Sequence, residues 1–325
     1  MKTTLTLFLW LSGSLAFAPP VMWAQTTDLS DSPPITQLIT CGQFIKIFDQ
    51  SINESHKWYI NDHCFIQDTQ GKWHLFGITH EEPADPLHEI HFAHATADSL
   101  LQHPWAKEPF ALTVDRKAPW DEFHLWAPDV IFHHGQYYMY YCAGGATHTT
   151  YKIHVALSTD LTHWTRHQDN PMVIDGYDAR DPFILPLQDK WLLYYTATRP
   201  DSLGHHVVIA VESHDLLHWT NQRVVFTHPD IGTWGGPTES PFVVYRHHKY
   251  YLFVCTNTPY DNTAVYESDS PIHWEYQNKV AELPAHCAEV IHVNKAWYIS
   301  RAGWGRGGVY LAKLQWNDED SNPQN

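Results

Sequence analysis

Basic residues are what this sequence has least of. Its 325 residues include 20 Lys and Arg against 36 Asp and Glu, a formal net charge of −16. With no cationic excess to neutralise phosphates, a nucleic-acid partner is excluded. Charge of either sign is sparse at 17%, while hydrophobic residues reach 43%. That is enough for a sizeable core and too much for a disordered chain. Cysteines number five (Cys41, Cys64, Cys142, Cys255 and Cys287), an odd count with no CxxC pair. Two readings of them stay open: buried small hydrophobes, or a single disulfide tying Cys41 to a sheet. No long segment keeps a helical apolar period. The one long apolar stretch, near the N-terminus, is too short and interrupted to span a bilayer, so no membrane span is expected in the mature chain.

Aromatic residues, by contrast, are plentiful at 14%, with 15 Trp among them. Many aromatics with few charges suit sheets and sugar-stacking clefts. The 25 histidines read mostly as surface and loop residues, which makes solubility pH-dependent. Residues 1–24, with Lys2 before the apolar stretch, resemble a secretory signal peptide. Ala16-Phe17-Ala18 is followed by Pro19, which disfavours cutting there, so cleavage is placed after Ala24. The expected location is secreted or periplasmic. Residues 25–54 read as a leader packing on the main domain, in which residues 36–50 form a strand or short helix docked on the first repeat. The polar tail, residues 317–325, reads as frayed.

Residues 55–316 carry a repeat. Asp62, Asp129, Asp181, Glu239 and Glu289 each precede a short apolar run, and an aromatic-rich run follows. The acids are 67, 52, 58 and 50 residues apart, near the roughly 40–50-residue period of a propeller blade. A second signature recurs as Ser158-Thr159-Asp160-Leu161 before Trp164 and Ser213-His214-Asp215-Leu216 before Trp219. Looser copies precede Trp274 and Trp105. The Asp is expected to hold a turn through backbone N–H groups, and the Trp to cover the gap between neighbouring blades. The predicted fold is all-β, a single five-bladed β-propeller.

If the first strand of each blade lies innermost, all five carboxylates face one axis. Carboxylates crowded in one pocket are what acid–base chemistry on a glycosidic bond requires. Asp62 follows Asn61 amid aromatics. Pro182 forces Asp181 into extended geometry, and Arg180 beside it can pair with an acid or grip a sugar hydroxyl. Gly235 and Gly236, ahead of Glu239, permit close backbone approach. Asp129 and Glu289 are expected as pocket residues that bind substrate rather than react. Trp126, Trp234 and Trp304 lie beside the acid-bearing loops, as sugar platforms or rim packing. His88, His91 and His94 are spaced by three, which on a strand sends consecutive members to opposite faces, so they are not read as a metal site.

Trp126-Ala127-Pro128-Asp129 followed by Tyr137-Tyr138-Met139-Tyr140-Tyr141 is similar to glycoside hydrolase family 43. Arg180-Asp181-Pro182 is similar to the fructosidase motif of family 32, and Trp58–Asp62 echoes that family's first motif. Over residues 55–316 the chain resembles the five-bladed-propeller glycosidases of families 43, 32, 62 and 68. The resemblance implies a glycosidase acting on an oligo- or polysaccharide such as an arabinoside, fructoside or xyloside. It implies Asp62 as nucleophile (family 32) or general base (family 43), Asp181 as transition-state stabiliser or pKa modulator, and Glu239 as proton donor. It implies no required cofactor, with an axial structural cation near His286 as an option. Departures are His63 where a Pro commonly follows the first Asp, Ser240 where family 32 has Cys, and no appended β-sandwich. Two alternatives stand beside the hydrolase: a phosphorylase using Arg301 and Arg306 for phosphate, or a non-catalytic sugar-binding propeller.

Overall fold

Short aromatic and β-branched runs bounded by turn residues fold as strands, and strands make up nearly all the regular structure here. The structure, a computed structural model, describes residues 37–199, 204–232, 235–256 and 260–317. The leader before residue 37, the signal segment within it, the tail beyond residue 317 and Trp234 lie outside the described residues. Strands β1 (Ile39–Cys41) and β2 (Ile45–Phe48) come first. Blade I is β3 (Trp58–Gln67), β4 (Trp73–Glu81), β5 (His91–Ala97) and β6 (Ala106–Thr113). Blade II is β7 (Trp126–His133), β8 (Gln136–Ala143), β9 (Lys152–Ser158) and β10 (Thr165–Arg166). Blade III is β11 (Arg180–Pro186), β12 (Trp191–Arg199), β13 (His205–Ser213) and β14 (Thr220–Ile231). Blade IV is β15 (Phe242–Arg246), β16 (Lys249–Cys255), β17 (Thr263–Ser268) and β18 (Lys279–Leu283). Blade V is β19 (Val290–Val293), β20 (Ala296–Arg301) and β21 (Val309–Trp316), completed by β1 and β2.

Each of the first four blades is an antiparallel meander of four strands. The first strands β3, β7, β11 and β15 neighbour one another in turn, so they are the innermost. This is a five-bladed β-propeller. The segment expected to dock on the first blade does so, with the Trp105 N–H on Ile47 O at 2.8 Å, and it also supplies β1 and β2, which pair with β21 of the last blade. That second pairing has a physical reason. β21 would otherwise present an open edge, and pairing it with the N-terminal strands closes the ring. Ile47 and Phe48 also pack with Trp105 and Leu75 of blade I, so the segment seals the junction of the last blade with the first.

The recurring Trp residues hold blade to blade. Trp164 of blade II meets Phe76 of blade I edge-on at 5.6 Å, and Trp219 of blade III meets Tyr140 of blade II at 5.7 Å. Trp274 of blade IV meets Tyr194 of blade III at 5.9 Å, and Trp316 of blade V meets Tyr251 of blade IV at 4.8 Å. The turns ahead of them are capped as the sequence implies. Asp160 Oδ1 accepts from the Thr162 and His163 N–H groups, and Asp215 Oδ1 from Leu217 and His218. All five cysteines are free, four of them buried.

Candidate active site

The innermost strands share one irregularity. Pairing with the second strand skips between Ile60 and His63 in blade I, between Trp126 and Asp129 in blade II, and between Arg180 and Phe183 in blade III. Blades IV and V do the same just ahead of their first strands. There Cys255 N–H meets Glu239 O, and Ala302 N–H meets His286 O. Each skip is a β-bulge, which bends a strand and re-aims its side chains. Ala127, Asp181, Ser240 and Cys287, the leading bulge residues of blades II to V, have φ between 46° and 55°, a left-handed conformation disfavoured for residues with a side chain; this corrects the extended geometry expected of Asp181, because the bulge overrides the bias of the following proline. Pro128, Pro182 and Pro241 follow three of them, at a position that needs no ladder N–H. In blade I, Gly77 lies opposite the bulge, where a Cβ would stand 2.8 Å from Ile60.

The five acids occupy different positions on these bulges. Asp181 is a leading bulge residue itself, Glu239 precedes one and Asp62 is the second residue of another. Asp129 and Glu289 come two residues after theirs. The first three line a single cavity of about 280 Å³, together with Asn61, Trp126, Arg180, His286 and Trp304. The other two do not line it, which corrects their expected place in the pocket. Asp129 Oδ2 accepts from the Ile184 N–H at 2.8 Å and so ties blade II to blade III. Glu289 lines a much smaller chamber, about 20 Å³, shared with Asp62, Asp181, Ser240 and Cys287.

Ser240 joins the three cavity acids. Its hydroxyl donates to Asp62 Oδ1, and its N–H donates to Asp181 Oδ2 at 3.0 Å, while Glu239 is its chain neighbour. Arg180 completes the set. Its Nε donates to Asp178 Oδ1 at 2.8 Å, and its Nη1 pairs with Glu239 Oε1 and lies 3.9 Å from Asp181 Oδ2. Burial pushes Glu239 up to about 8; Arg180 pulls it down, and the Asp181 and Asp62 charges push it further up. Burial, with the Asp62 charge, raises Asp181 to about 7. Asp62 is also raised by burial, but the Ser240 hydroxyl and Arg180 work against the rise.

His63, in place of the expected proline, is a buried bridge. Its Nδ1–H donates to Asn61 O at 3.0 Å, and its Nε2 accepts from the Ser300 hydroxyl at 2.8 Å, tying blade I to blade V. Burial lowers it to about 4, so it stays neutral. Trp126 is covered on one face by His124 at 3.7 Å. Trp304 remains 41% exposed at the cavity mouth. Arg301 lies over Phe44 and Tyr310, 4.4 and 5.2 Å from the ring centres. Neither it nor Arg306 lines the cavity.

His286 belongs to a group with Asp62 and Cys287 whose donor atoms lie within 4.8 Å of one another. The set fits a protein-held cation poorly. His286 Nε2–H is given to Asn61 Oδ1 at 3.0 Å, Asp62 holds the Ser240 hydroxyl, and burial pushes the Cys287 thiol well up. One carboxylate, one imidazole and one thiol also fall short of both a closed zinc shell and the six to eight oxygens of calcium.

Four cavity residues escaped the sequence reading, the apolar Ile78 and Pro86 and two polar ones, Tyr260 and Glu89. Tyr260 takes the Gly236 N–H on its hydroxyl at 2.9 Å and leaves no room for a Cβ at Gly235, which would stand 2.4 Å from that oxygen. Glu89 reaches the cavity from the segment between β4 and β5. It too is an acid before an apolar run, but it leads a third strand, outside the five-fold pattern.

A five-bladed propeller with carboxyls gathered at its axis is the arrangement that glycoside hydrolysis needs, and the family match places the chain among the glycoside hydrolases. The model of the glycosyl hydrolases family 43 matches residues 96–286, more than half the chain, and the chain belongs to that family. Solved structures share the fold at low identity. A thermostable family-43 glycoside hydrolase is 17% identical, with a TM-score of 0.62 over 79% of this chain and 89% of that one. A family 43 enzyme from Xanthomonas citri complexed with xylotriose is 17% identical, with a TM-score of 0.58 over 79% and 86%. A Bombyx mori family 32 beta-fructofuranosidase in complex with sucrose is 18% identical, with a TM-score of 0.61 over 81% of this chain and 62% of its own length.

Proposed function

We propose that the chain hydrolyses a furanoside or related glycoside, an arabinoside, xyloside or fructoside, with Glu239 as general acid, Asp62 as general base and Asp181 as modulator. The observation that carries this reading is Ser240, which links Asp62 and Asp181 by hydrogen bonds and Glu239 by the chain, at one cavity. Glu239, kept protonated by burial, gives its proton to the glycosidic oxygen as the bond to the anomeric carbon breaks. Asp62, favoured in its ionised form by the Ser240 hydroxyl, takes a proton from the water that attacks that carbon from the opposite face. Asp181 shares Ser240 with Asp62 and Arg180 with Glu239, and once ionised its charge supports the proton on Glu239 and the cationic character of the ring in the transition state. Arg180 holds Glu239 and Asp181 in place and keeps the cluster from carrying net repulsion. Family 43 membership favours the base role for Asp62 over the nucleophile role. The N-terminal stretch supports export of the enzyme to an extracellular or periplasmic substrate.

The test is a panel of para-nitrophenyl α-L-arabinofuranoside, β-D-xylopyranoside and a fructofuranoside, with the first-formed anomer read by proton NMR. Phosphate-independent turnover of one sugar class with inversion is expected. No turnover on any of them, or turnover that needs phosphate, would overturn the proposal.

A further inference from the structure

Glu89 is the fourth carboxyl lining the cavity, and it stands apart from the other three. Asp62, Asp181 and Glu239 are joined through Ser240 and Arg180. Glu89 belongs to the side of the cavity built by blades I and V. Its Oε1 accepts from the Tyr59 hydroxyl at 2.7 Å and from Trp304 Nε1–H at 3.0 Å. Its own carbonyl accepts the Leu125 N–H at 2.9 Å. Side chain and backbone are therefore both fixed, with the residue only 1% exposed.

A buried carboxyl is costly to the fold unless it is paired with a cation or fully hydrogen-bonded. Glu89 has no Lys or Arg partner among the described residues. Both of these hydrogen bonds fall on Oε1, while the Trp126 indole, whose N–H goes to Pro86 O at 3.1 Å, also stands near enough to favour the ionised carboxyl. Tyr59 and Trp304 could find an acceptor in an uncharged Gln at the same place, so they do not by themselves account for an acid. The feature left over is the second oxygen, at the cavity. Burial, eased by Tyr59 and Trp304, raises Glu89 to about 8, so below that pH Oε2 can give as well as take a hydrogen bond. The surroundings suit an uncharged ring: Trp126, Trp304, Tyr260 and Ile78 supply apolar faces. A cavity of about 280 Å³, at the small end of ligand pockets, has room for one sugar unit rather than a chain. Glu82 Oε1 takes the Gly305 N–H at 2.8 Å, a second tie between the same two loops, which walls off that side.

Resting on the hydrolase reading above, we propose that Glu89 is a specificity-determining residue: its Oε2 exchanges hydrogen bonds with one hydroxyl of a terminal, uncharged sugar ring seated over Asp62, Asp181 and Glu239. The reacting carboxyls act on the anomeric centre, and Glu89 reads a hydroxyl elsewhere on the same ring. Sugars lacking that hydroxyl lose the interaction and leave a buried polar group without its partner.

The experiment compares wild type, Glu89→Ala and Glu89→Gln on the para-nitrophenyl glycoside that the full chain cleaves and on its monodeoxy analogues. On the parent, Glu89→Ala should lower kcat/KM by roughly 10- to 100-fold, the worth of a strong hydrogen bond, mostly through KM. On the one analogue without the recognised hydroxyl the same variant should change little. Glu89→Gln, which keeps an acceptor and a donor, should recover part of the loss. An equal loss on every analogue means a structural role and overturns the proposal, as does no loss on the parent. If wild type cleaves no glycoside, the hydrolase reading fails, and calorimetric titration of D-xylose, L-arabinose and D-fructose still decides on Glu89. Weaker binding of one sugar to Glu89→Ala than to wild type supports it, and unchanged binding of all three overturns it.

Discussion

In the proposed reaction Glu239 and Asp62 have opposite requirements. The donor must hold its proton at working pH and the base must not. The Ser240 hydroxyl separates them. Glu239 is pushed to about 8 by burial, with Arg180 pulling against the rise and the neighbouring carboxylates adding to it, whereas Asp62 holds the Ser240 hydroxyl, which counters its burial. We predict a bell-shaped profile of kcat/KM against pH. Its alkaline limb should fall near pH 8 as Glu239 ionises, and its acid limb should lie above the ordinary carboxylate range, where Asp62 takes its proton. A profile still rising above pH 9 would remove Glu239 as the acid.

The bulge is the element that makes the site, and it marks the limit of what could be read from the sequence. The repeat, the turn-capping Asp residues and the blade-bridging Trp residues are visible because they recur at fixed offsets from apolar runs. The five acids were legible as a group, and Asp62, Asp181 and Glu239 were set apart as the reacting ones, but nothing in the sequence showed that Asp129 and Glu289 turn away from the cavity. The skip in pairing leaves no mark in composition, and a displacement of one or two residues along the bulge turns a carboxyl from the cavity to a backbone N–H or a second chamber. Glu89 was hidden because it leads the wrong strand, and Ser240 because its bonds to Asp62 and Asp181 span 178 and 59 residues. Element stability should follow the recurring parts. Trp274 is 3% exposed and packed on Tyr194, so Trp274→Ala should cost about 3–5 kcal/mol in denaturant unfolding. Asp215→Ala removes an exposed turn cap and should cost about 1 kcal/mol. Equal costs would show that the blades are not held together by their Trp residues.

Across the molecule, buried titratable groups of two kinds set the response to pH. Glu89 and Glu239 are raised to about 8, and Asp129 and Asp181 to about 7, chiefly by burial. Folded chains keep protons there that unfolded chains release above about pH 4, so this contribution declines as pH rises from about 4 to 8. His63 is lowered to about 4, and His94, His124, His154 and His286 to about 3, again by burial. They stay neutral when folded but charge below about 6.5 when unfolded, so their contribution declines as pH falls from about 6.5. Between those limits the two oppose each other. Thermal melting should therefore peak between about pH 4.5 and 6.5 and fall on both sides, and a Tm that climbs steadily from pH 6.5 to 8 would contradict this balance. In the proposed mechanism the ring brings carboxyls from separate blades onto one sugar, and the division of labour among them is the central claim. It is tested most directly by kcat/KM of Glu239→Gln across aryl glycosides of increasing leaving-group acidity. The account predicts a loss of about 10²–10⁴-fold on poor leaving groups, shrinking towards none on the best, which leave without a proton. A loss of the same size on every leaving group would contradict it.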